Sequence, residues 1–194
     1  MARQIVILQG HPSPERTHLG HALADAYVSG AGAAGHVVRR IEVGALDFPL
    51  LRRPEDWRSA PMPEGLRDAQ AAIGWADHLA IFFPLWTGTM PALFKGFLEQ
   101  IVRPGFAFRK QPGGRGLAPA LTGKSARVVV TMGMPALLFR WSHHAHGVRG
   151  LQQGILGLCG IKPVRMTYIG LVDAPNFHAE KWLAQMRDLG GHGR

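Results

Sequence analysis

Cysteine is nearly absent from this sequence, and its scarcity limits the possible folds. The 194 residues include one cysteine, which excludes an internal disulfide framework, and no paired Cys/His spacing of a structural zinc site is present. A chain without disulfides suits a reducing compartment, so we expect a soluble, cytoplasmic protein. No apolar run approaches the roughly 20 residues of a membrane-spanning helix. The first residues lack the apolar length and the cleavage site of a secretory signal.

Acidic residues are also few, with 13 aspartates and glutamates against 22 lysines and arginines, and the formal net charge is +9. A solvated basic surface is one interpretation, and a rim that attracts an anionic ligand such as a nucleotide is another. Nucleic-acid binding is disfavoured because the arginines are scattered and no basic helix is interleaved with aromatics. The densest basic stretch contains no acid and comprises Arg103, Arg109, Lys110, Arg115, Lys124 and Arg127.

Short apolar strands alternate with helical patterns along the whole chain. This alternation predicts a single α/β domain over residues 1–194, a flavodoxin-like three-layer sandwich with a five-stranded parallel sheet of order 2-1-3-4-5. The predicted strands are Ile5–Leu8, Val37–Val43, Leu79–Phe83, Arg127–Thr131 and Val164–Ile169. The predicted helices begin near Leu19, Leu66, Pro91, Val148 and His178.

Three local expectations accompany this topology. The Gly/Ala run from Gly30 to Gly35 should end the first helix. Thr89 should cap the helix that has Pro91 in its first turn. The segment Arg103–Gly123, rich in glycine and proline, should have no regular structure, and it is either a functional loop or a mobile surface loop.

In this fold, ligands bind beyond the carboxyl ends of the strands, where the loops after the first, third and fourth strands meet. The first loop, Gln9–Gly20, has neither the Gly-Lys-Ser/Thr of a Walker loop nor a GxGxxG fingerprint. It offers hydroxyls and imidazoles at a helix start, which is a favourable place for a phosphate. The alternative is that Thr17 only caps the helix and His11 has only a structural role.

The other two loops are unusually apolar. Pro84, Leu85, Trp86 and Thr87 follow the third strand, and the fourth strand ends in Thr131-Met132-Gly133. Both loops present backbone amides beside apolar side chains, which suits a planar ring that forms hydrogen bonds. Packing of the loops on themselves, or simple filling of the core, is the alternative. A phosphate site and two apolar loops together fit the head of a flavin mononucleotide.

Several of these segments together resemble the NAD(P)H:quinone oxidoreductase family, whose flavodoxin-like members include ancillary subunits of potassium-efflux systems. The resemblance extends over nearly the whole chain and is most specific from Pro84 to Phe108. The matching segments are His11-Pro12, Thr17-His18, Phe83–Trp86, Pro91–Gly96, Gly105–Phe108, Thr131–Gly133 and Cys159-Gly160.

The resemblance implies a bound FMN or FAD, with FMN slightly favoured by the short chain, and NADPH or NADH as electron donor. It also implies a homodimer with the site at the interface. By position, the phosphate-binding residues would be His11, Thr17 and His18. The loops beside the flavin ring would be Pro84–Thr87 and Thr131–Gly133, with amides stabilising charge on the reduced ring.

The resemblance further assigns catalytic positions to His146 and Phe139, and substrate-pocket positions to Phe106 and Phe108. The family often has a tyrosine where this chain has Phe139, and Phe108 also lacks a hydroxyl. The segment Arg103–Gly123 would lie over the flavin of the neighbouring subunit. His143, His144 and His146 raise the question of a metal, but no carboxylate or cysteine lies beside them, and we expect no metal site.

Three functional hypotheses remain at this point. The main one is a flavin-dependent NAD(P)H oxidoreductase that reduces quinone-like acceptors by two-electron hydride transfer. The second is a flavin-binding regulatory subunit that docks peripherally on a cation-efflux transporter in the membrane. The third is a flavodoxin-like module that has lost its cofactor, which the replacements at Phe108, Phe139 and Met134-Pro135 keep open.

Overall fold

A parallel sheet forms the centre of the computed structural model, which describes residues 1–111, 116–142 and 144–194. The strands are β1 (Gln4–Gln9), β2 (Val37–Glu42), β3 (His78–Pro84), β4 (Phe108–Lys110), β5 (Leu117–Pro119), β6 (Ser125–Thr131) and β7 (Val164–Ile169). The main sheet has the order β2-β1-β3-β6-β7, and each neighbouring pair is parallel. The predicted order 2-1-3-4-5 of the five main strands is therefore confirmed.

Helices cover both faces of this sheet. They are α1 (Leu19–Ala33), α2 (Pro54–Arg58), α3 (Arg67–Trp75), α4 (Ala92–Ile101), α5 (Ala136–Ser142), α6 (His146–Arg149) and α7 (Ala179–Gly191). The helix expected from Val148 is present but changes its type, because α6 passes directly into a π-helical segment, Gly150–Gly157. Among the described residues, none of the helices combines the length and the apolar character needed to cross a membrane.

Each buried strand supplies both layers of the core, because successive side chains point to opposite faces of the sheet. In β1, Ile5 and Ile7 pack beneath α1 and α7, whereas Val6 and Leu8 pack beneath α3 and α4. All four side chains are at most 1% exposed. The unbroken apolar run that predicted this strand thus results from burial on both faces.

The expectation that the first helix ends in the run Gly30–Gly35 is confirmed, since α1 ends at Ala33. Glycine in this run also allows close contact between helices. A Cβ on Gly30 would lie 1.9 Å from the carbonyl oxygen of Arg187, and one on Gly190 would lie 2.0 Å from that of Tyr27. Backbone therefore packs directly on backbone between α1 and α7, and this packing outweighs the low helix propensity of glycine.

The segment Arg103–Gly123 also differs from expectation, because it contains the antiparallel pair β4 and β5. Phe108 pairs with Pro119, and Lys110 pairs with Leu117, while residues 112–115 lie outside the described part of the chain. The N–H of Ala120 donates to the carbonyl of Ala107 at 2.9 Å, which fixes the base of this hairpin. Backbone pairing between residues that far apart gives no local signal in a sequence.

The basic stretch does not form one rim. Arg103 is 5% exposed and its guanidinium donates to the carbonyls of Trp57 and Pro61. The Lys124 ammonium donates to the carbonyl of Gly74, and Arg127 is 8% exposed within the sheet. These cations are bound inside the fold, whereas Arg115 lies outside the described residues.

The glycine contact between α1 and α7 gives a matched pair of variants. Gly30→Ala should lower the free energy of unfolding by about 1–3 kcal/mol, because its methyl group would overlap the Arg187 carbonyl. Gly32→Ala is the control, since nothing lies within 4 Å of its Cβ position in the same helix. Urea unfolding measures both variants. Equal stability of the two would contradict direct backbone packing.

Candidate functional site

The carboxyl ends of β1, β3 and β6 lie side by side, and backbone hydrogen bonds fix the loops that follow them. The N–H of Gly10 donates to the Phe82 carbonyl at 2.7 Å, and that of Leu85 donates to the Thr131 carbonyl at 2.8 Å. The start of each of these two loops is therefore hydrogen-bonded to the end of the neighbouring strand. The first, second and third loops expected at this edge do meet there.

Aromatic rings join the first two loops. The imidazoles of His11 and His18 stack with centroids 4.0 Å apart and planes inclined by 21°. His21 lies 5.6 Å from His11, and the indole of Trp86 approaches His11 edge-on at 6.0 Å. The predicted residues His11, His18 and Trp86 are thus brought together, and His21 joins them. Sequence reasoning missed His21, although its spacing of three from His18 places it on the same side of the helix.

Burial lowers the pKa of two of these imidazoles, those of His11 and His21. Desolvation, followed by the nearby His18, lowers the pKa of His11 below its ordinary value. Desolvation also lowers the pKa of His21, although Glu42 opposes this shift from 3.6 Å away. The Arg16 guanidinium forms ion pairs with Asp25 and Glu42. Because these acids neutralise Arg16, hydrogen-bond donors rather than a free cation line the start of α1.

The N-terminus of α1 lacks internal capping. Its N-cap residue is His18, no side chain caps it, and its first turn contains no acid. The alternative that Thr17 caps this helix is therefore wrong, and Thr17 is exposed immediately before it. Uncapped amides and the positive end of the helix dipole favour an anion. The donors present fit the phosphate of a flavin nucleotide.

The second loop contains a tight turn. Trp86 and Thr89 exchange two backbone hydrogen bonds, of 2.9 and 3.0 Å. Thr87 and Gly88 between them have φ angles of 49° and 78°, as a type I′ turn requires. Positive φ is unfavourable for a β-branched residue such as Thr87, so the turn is strained at this position. The turn leaves the Trp86 side chain 49% exposed.

The expectation that Thr89 caps α4 is wrong, because the N-cap residue is Pro91. The Thr89 hydroxyl instead donates a hydrogen bond to the Gly147 carbonyl at 3.4 Å. A Cβ on Gly147 would lie 2.3 Å from the carbonyl oxygen of Gly88. The start of α6 therefore packs on the turn, which places exposed His146 beside the second loop.

The third loop forms contacts within the protein that limit which of its groups could bind a ligand. The N–H of Met132 donates to the Ile169 carbonyl at 2.9 Å, so this amide is already engaged. Thr131 and Met132 are buried, whereas Gly133 is exposed. A Cβ on Gly133 would lie 2.8 Å from a carboxylate oxygen of Asp173. Among these three predicted residues, Gly133 thus presents the most accessible backbone.

The predicted aromatic residues of the catalytic and substrate-pocket positions do not join the histidine cluster. Phe139 is 1% exposed, and its ring centroid lies 6.1 Å from that of Tyr168. Phe106 packs against Gly74, near the amino ends of the strands, and Phe108 lies 6.4 Å from Trp57. Within one chain, Phe106 and Phe108 are therefore at the opposite edge of the sheet from the three loops.

Comparison with known proteins agrees with this architecture. Residues 3–189 match the family described by its flavodoxin-like fold. The chain therefore belongs to the flavodoxin-like family that this match defines. A solved NAD(P)H:quinone oxidoreductase from Methanothermobacter marburgensis superimposes with a TM-score of 0.80 at 24% identity, covering 99% of this chain and 97% of that one. At this identity, the likeness supports the fold alone.

Two of the curated relatives illustrate the similarity in sequence. A ribosyldihydronicotinamide dehydrogenase-like protein, traD of Penicillium crustosum, is 29% identical over 180 residues, covering 79% of this chain and 64% of the relative. The FMN-dependent NADH:quinone oxidoreductase 2 of Pseudomonas putida is 31% identical over 142 residues, covering 70% and 63%. The chain thus covers less than two thirds of the length of both relatives.

The strain at Thr87 gives a prediction about stability. Thr87→Asn should raise the free energy of unfolding of the flavin-free protein by about 1 kcal/mol, because asparagine tolerates positive φ better than threonine. Thr17→Asn, an exposed position outside the positive-φ set, is the control and should change stability little. Urea unfolding compares the two. A destabilised Thr87→Asn protein would show that the turn is not strained.

Proposed function

We propose that the protein is a flavin-dependent NAD(P)H oxidoreductase that reduces quinone-like acceptors by two-electron hydride transfer. The observation that supports this most is the stacked pair of His11 and His18 at the uncapped start of α1, in contact with Trp86. Anion-binding groups and an exposed aromatic side chain adjoin each other at the switch point of the sheet, where this fold binds ligands. Of the two relatives, one is named as an FMN-dependent NADH:quinone oxidoreductase and the other as a ribosyldihydronicotinamide dehydrogenase-like protein.

FMN is the cofactor that these residues suit best. Its phosphate would lie at the start of α1, held by His11, Thr17 and His18, with ring N–H and hydroxyl groups as hydrogen-bond donors. Its ring would lie between the second loop, Pro84–Thr87, and the third loop, Thr131–Gly133. The Pseudomonas putida relative is named as FMN-dependent.

A bound flavin supplies the hydride chemistry, and the protein residues orient and stabilise the reactants. Because the Met132 amide is bonded to Ile169, stabilisation of negative charge would fall to neighbouring groups such as the accessible Gly133 backbone. His146, exposed beside the second loop, would assist there as a hydrogen-bond donor. Phe139 is buried, so its contribution would be to support the third loop by packing rather than to handle protons.

A homodimer would explain the position of Phe106 and Phe108 at the opposite edge. In such a dimer, the hairpin β4–β5 of one subunit would lie over the flavin of its partner and complete the acceptor pocket. Exposed apolar side chains near the hairpin support this proposal, with Leu117 at 41% and Leu158 at 58% exposed. They line a groove of about 320 Å³ together with Trp57 and Phe108.

We place the protein in the cytoplasm. Cys159 is buried, and burial raises the pKa of its thiol to about 11, so the thiol is unreactive. NAD(P)H as electron donor also belongs to that compartment.

Flavin binding and turnover test the proposal. Protein incubated with FMN and desalted should retain flavin absorption, which NADPH or NADH bleaches anaerobically, and NAD(P)H oxidation should depend on added quinone. His11→Ala should weaken FMN binding at least about tenfold, a loss of about 1.4 kcal/mol. His178→Ala, an exposed histidine at the start of α7, is the control.

Each failure has a distinct meaning. Protein that retains no flavin would overturn the proposed site. Retained flavin that neither NADPH nor NADH reduces would contradict the proposed enzymatic activity. It would favour the regulatory subunit that the sequence analysis left as an alternative.

The dimer is tested at Leu158. Leu158→Asp should convert the protein to a monomer by light scattering and should abolish quinone reduction, because the partner's hairpin would be lost. Val37→Asp, at an equally exposed apolar position on the edge strand β2, should leave both unchanged. A wild-type monomer with full activity would refute the shared site.

A further inference from the structure

A second concave site lies at the amino edge of the sheet, opposite the three loops. It is a cavity of about 250 Å³, which we call the amino-edge pocket, and it lies on the side of the sheet covered by α1 and α7. Its polar lining residues are Arg3, His78, Ser125, Arg165, His192 and Arg194. The function proposed above uses none of them.

The pocket adjoins a buried arginine. Arg127 lies two residues after Ser125 on β6 and directly opposite Arg165 on β7. It is 8% exposed, and one of its guanidinium nitrogens donates to the Thr167 hydroxyl at 2.9 Å. No carboxylate forms an ion pair with Arg127 in residues 1–111, 116–142 and 144–194. A buried cation without an ionic partner destabilises the fold, and a like charge on the next strand adds to that cost.

Three buried polar atoms around Arg127 have no hydrogen-bond partner within the described chain. They are the Arg127 Nε, the His78 Nε2 and the Tyr27 hydroxyl. The other ring nitrogen of His78 is bonded to the Ser125 hydroxyl at 2.8 Å. Burial, and then the charges of Arg3, Arg127 and Arg165, lower the pKa of His78 to about 3.

Acidic residues near the pocket do not compensate this charge. The Asp77 carboxylate accepts the N–H of Gln4 at 2.9 Å. Asp188 contacts His192 at 3.4 Å on the surface, where both side chains are more than half exposed. Arg3 donates to the Gly193 carbonyl at 2.9 Å, which holds the residues after α7 against the pocket without neutralising it.

We propose that the amino-edge pocket binds a phosphate group, either as inorganic phosphate or as the end of a phosphomonoester. Arginine guanidinium groups match the oxygens of phosphate in geometry and charge. Arg3, Arg165 and Arg194 line this pocket, and no aspartate or glutamate is among its lining residues. A dianion would neutralise more of this charge than a monovalent ion. The bound group would stabilise the junction of β6, β7 and the residues after α7, far from the flavin site.

The test is calorimetric titration of the FMN-saturated protein at pH 7.5 and constant ionic strength, with inorganic phosphate and, separately, glycerol 3-phosphate. FMN occupies the other phosphate-binding region, so one further phosphate per chain should bind. The double variant Arg165→Ala/Arg194→Ala should weaken that binding at least about tenfold, or about 1.4 kcal/mol. Arg52→Ala/Arg58→Ala is the control, because it removes two exposed arginines that do not line the pocket.

The outcomes separate clearly. Saturable binding that the pocket variant loses and the control retains supports the site, and the tighter of the two probes identifies the form of the phosphate. Equal binding by both variants, or no binding to the wild type, would overturn it. The proposal would also be overturned if phosphate bound to the flavin-free protein but not after FMN was added, and if the His11→Ala variant lost this binding. Phosphate would then occupy the flavin site. Thermal unfolding in phosphate must show the same difference between variants, because phosphate also stabilises proteins non-specifically.

Discussion

Parallel pairing of the buried strands β1, β3 and β6 is the constraint on which the other features depend. Because every carboxyl end lies at one edge, the loops that follow must meet there, and their first residues are bonded to the adjacent strands. The same pairing directs every amino end to the opposite edge. The hairpin and the arginine-rich pocket at that edge are therefore separated from the histidine cluster by the full length of the sheet.

The topology was predictable from the sequence because it depends on local patterns. Apolar runs such as Ile5–Leu8 are buried on both faces of the sheet, and a strand buried on both faces has an unbroken apolar sequence. The meeting of the three loops then follows from topology alone. The proximity of His11, His18 and Trp86 was predictable on the same grounds, although their stacking was not.

The features that sequence reasoning missed share a physical cause, which is contact between residues distant in sequence. The close packing of Gly30 on α7 has no local signal in the sequence of α1, and the pairing of Phe108 with Pro119 leaves no periodic signal. Arg127 appears to be a surface cation in a basic stretch, yet the sheet buries it. Flavin contacts and subunit assembly involve partners outside the chain, so they remain predictions.

The glycine contact between α1 and α7 has a consequence for biosynthesis. The first helix cannot cover its interface until the last helix has left the ribosome, because the two are about 150 residues apart in sequence and long-range contacts form late. A nascent chain that lacks α7 would leave the backbone of α1 around Gly30 and Ala31 uncovered. Such a chain would be a ready substrate for chaperones until its synthesis reached Gly190.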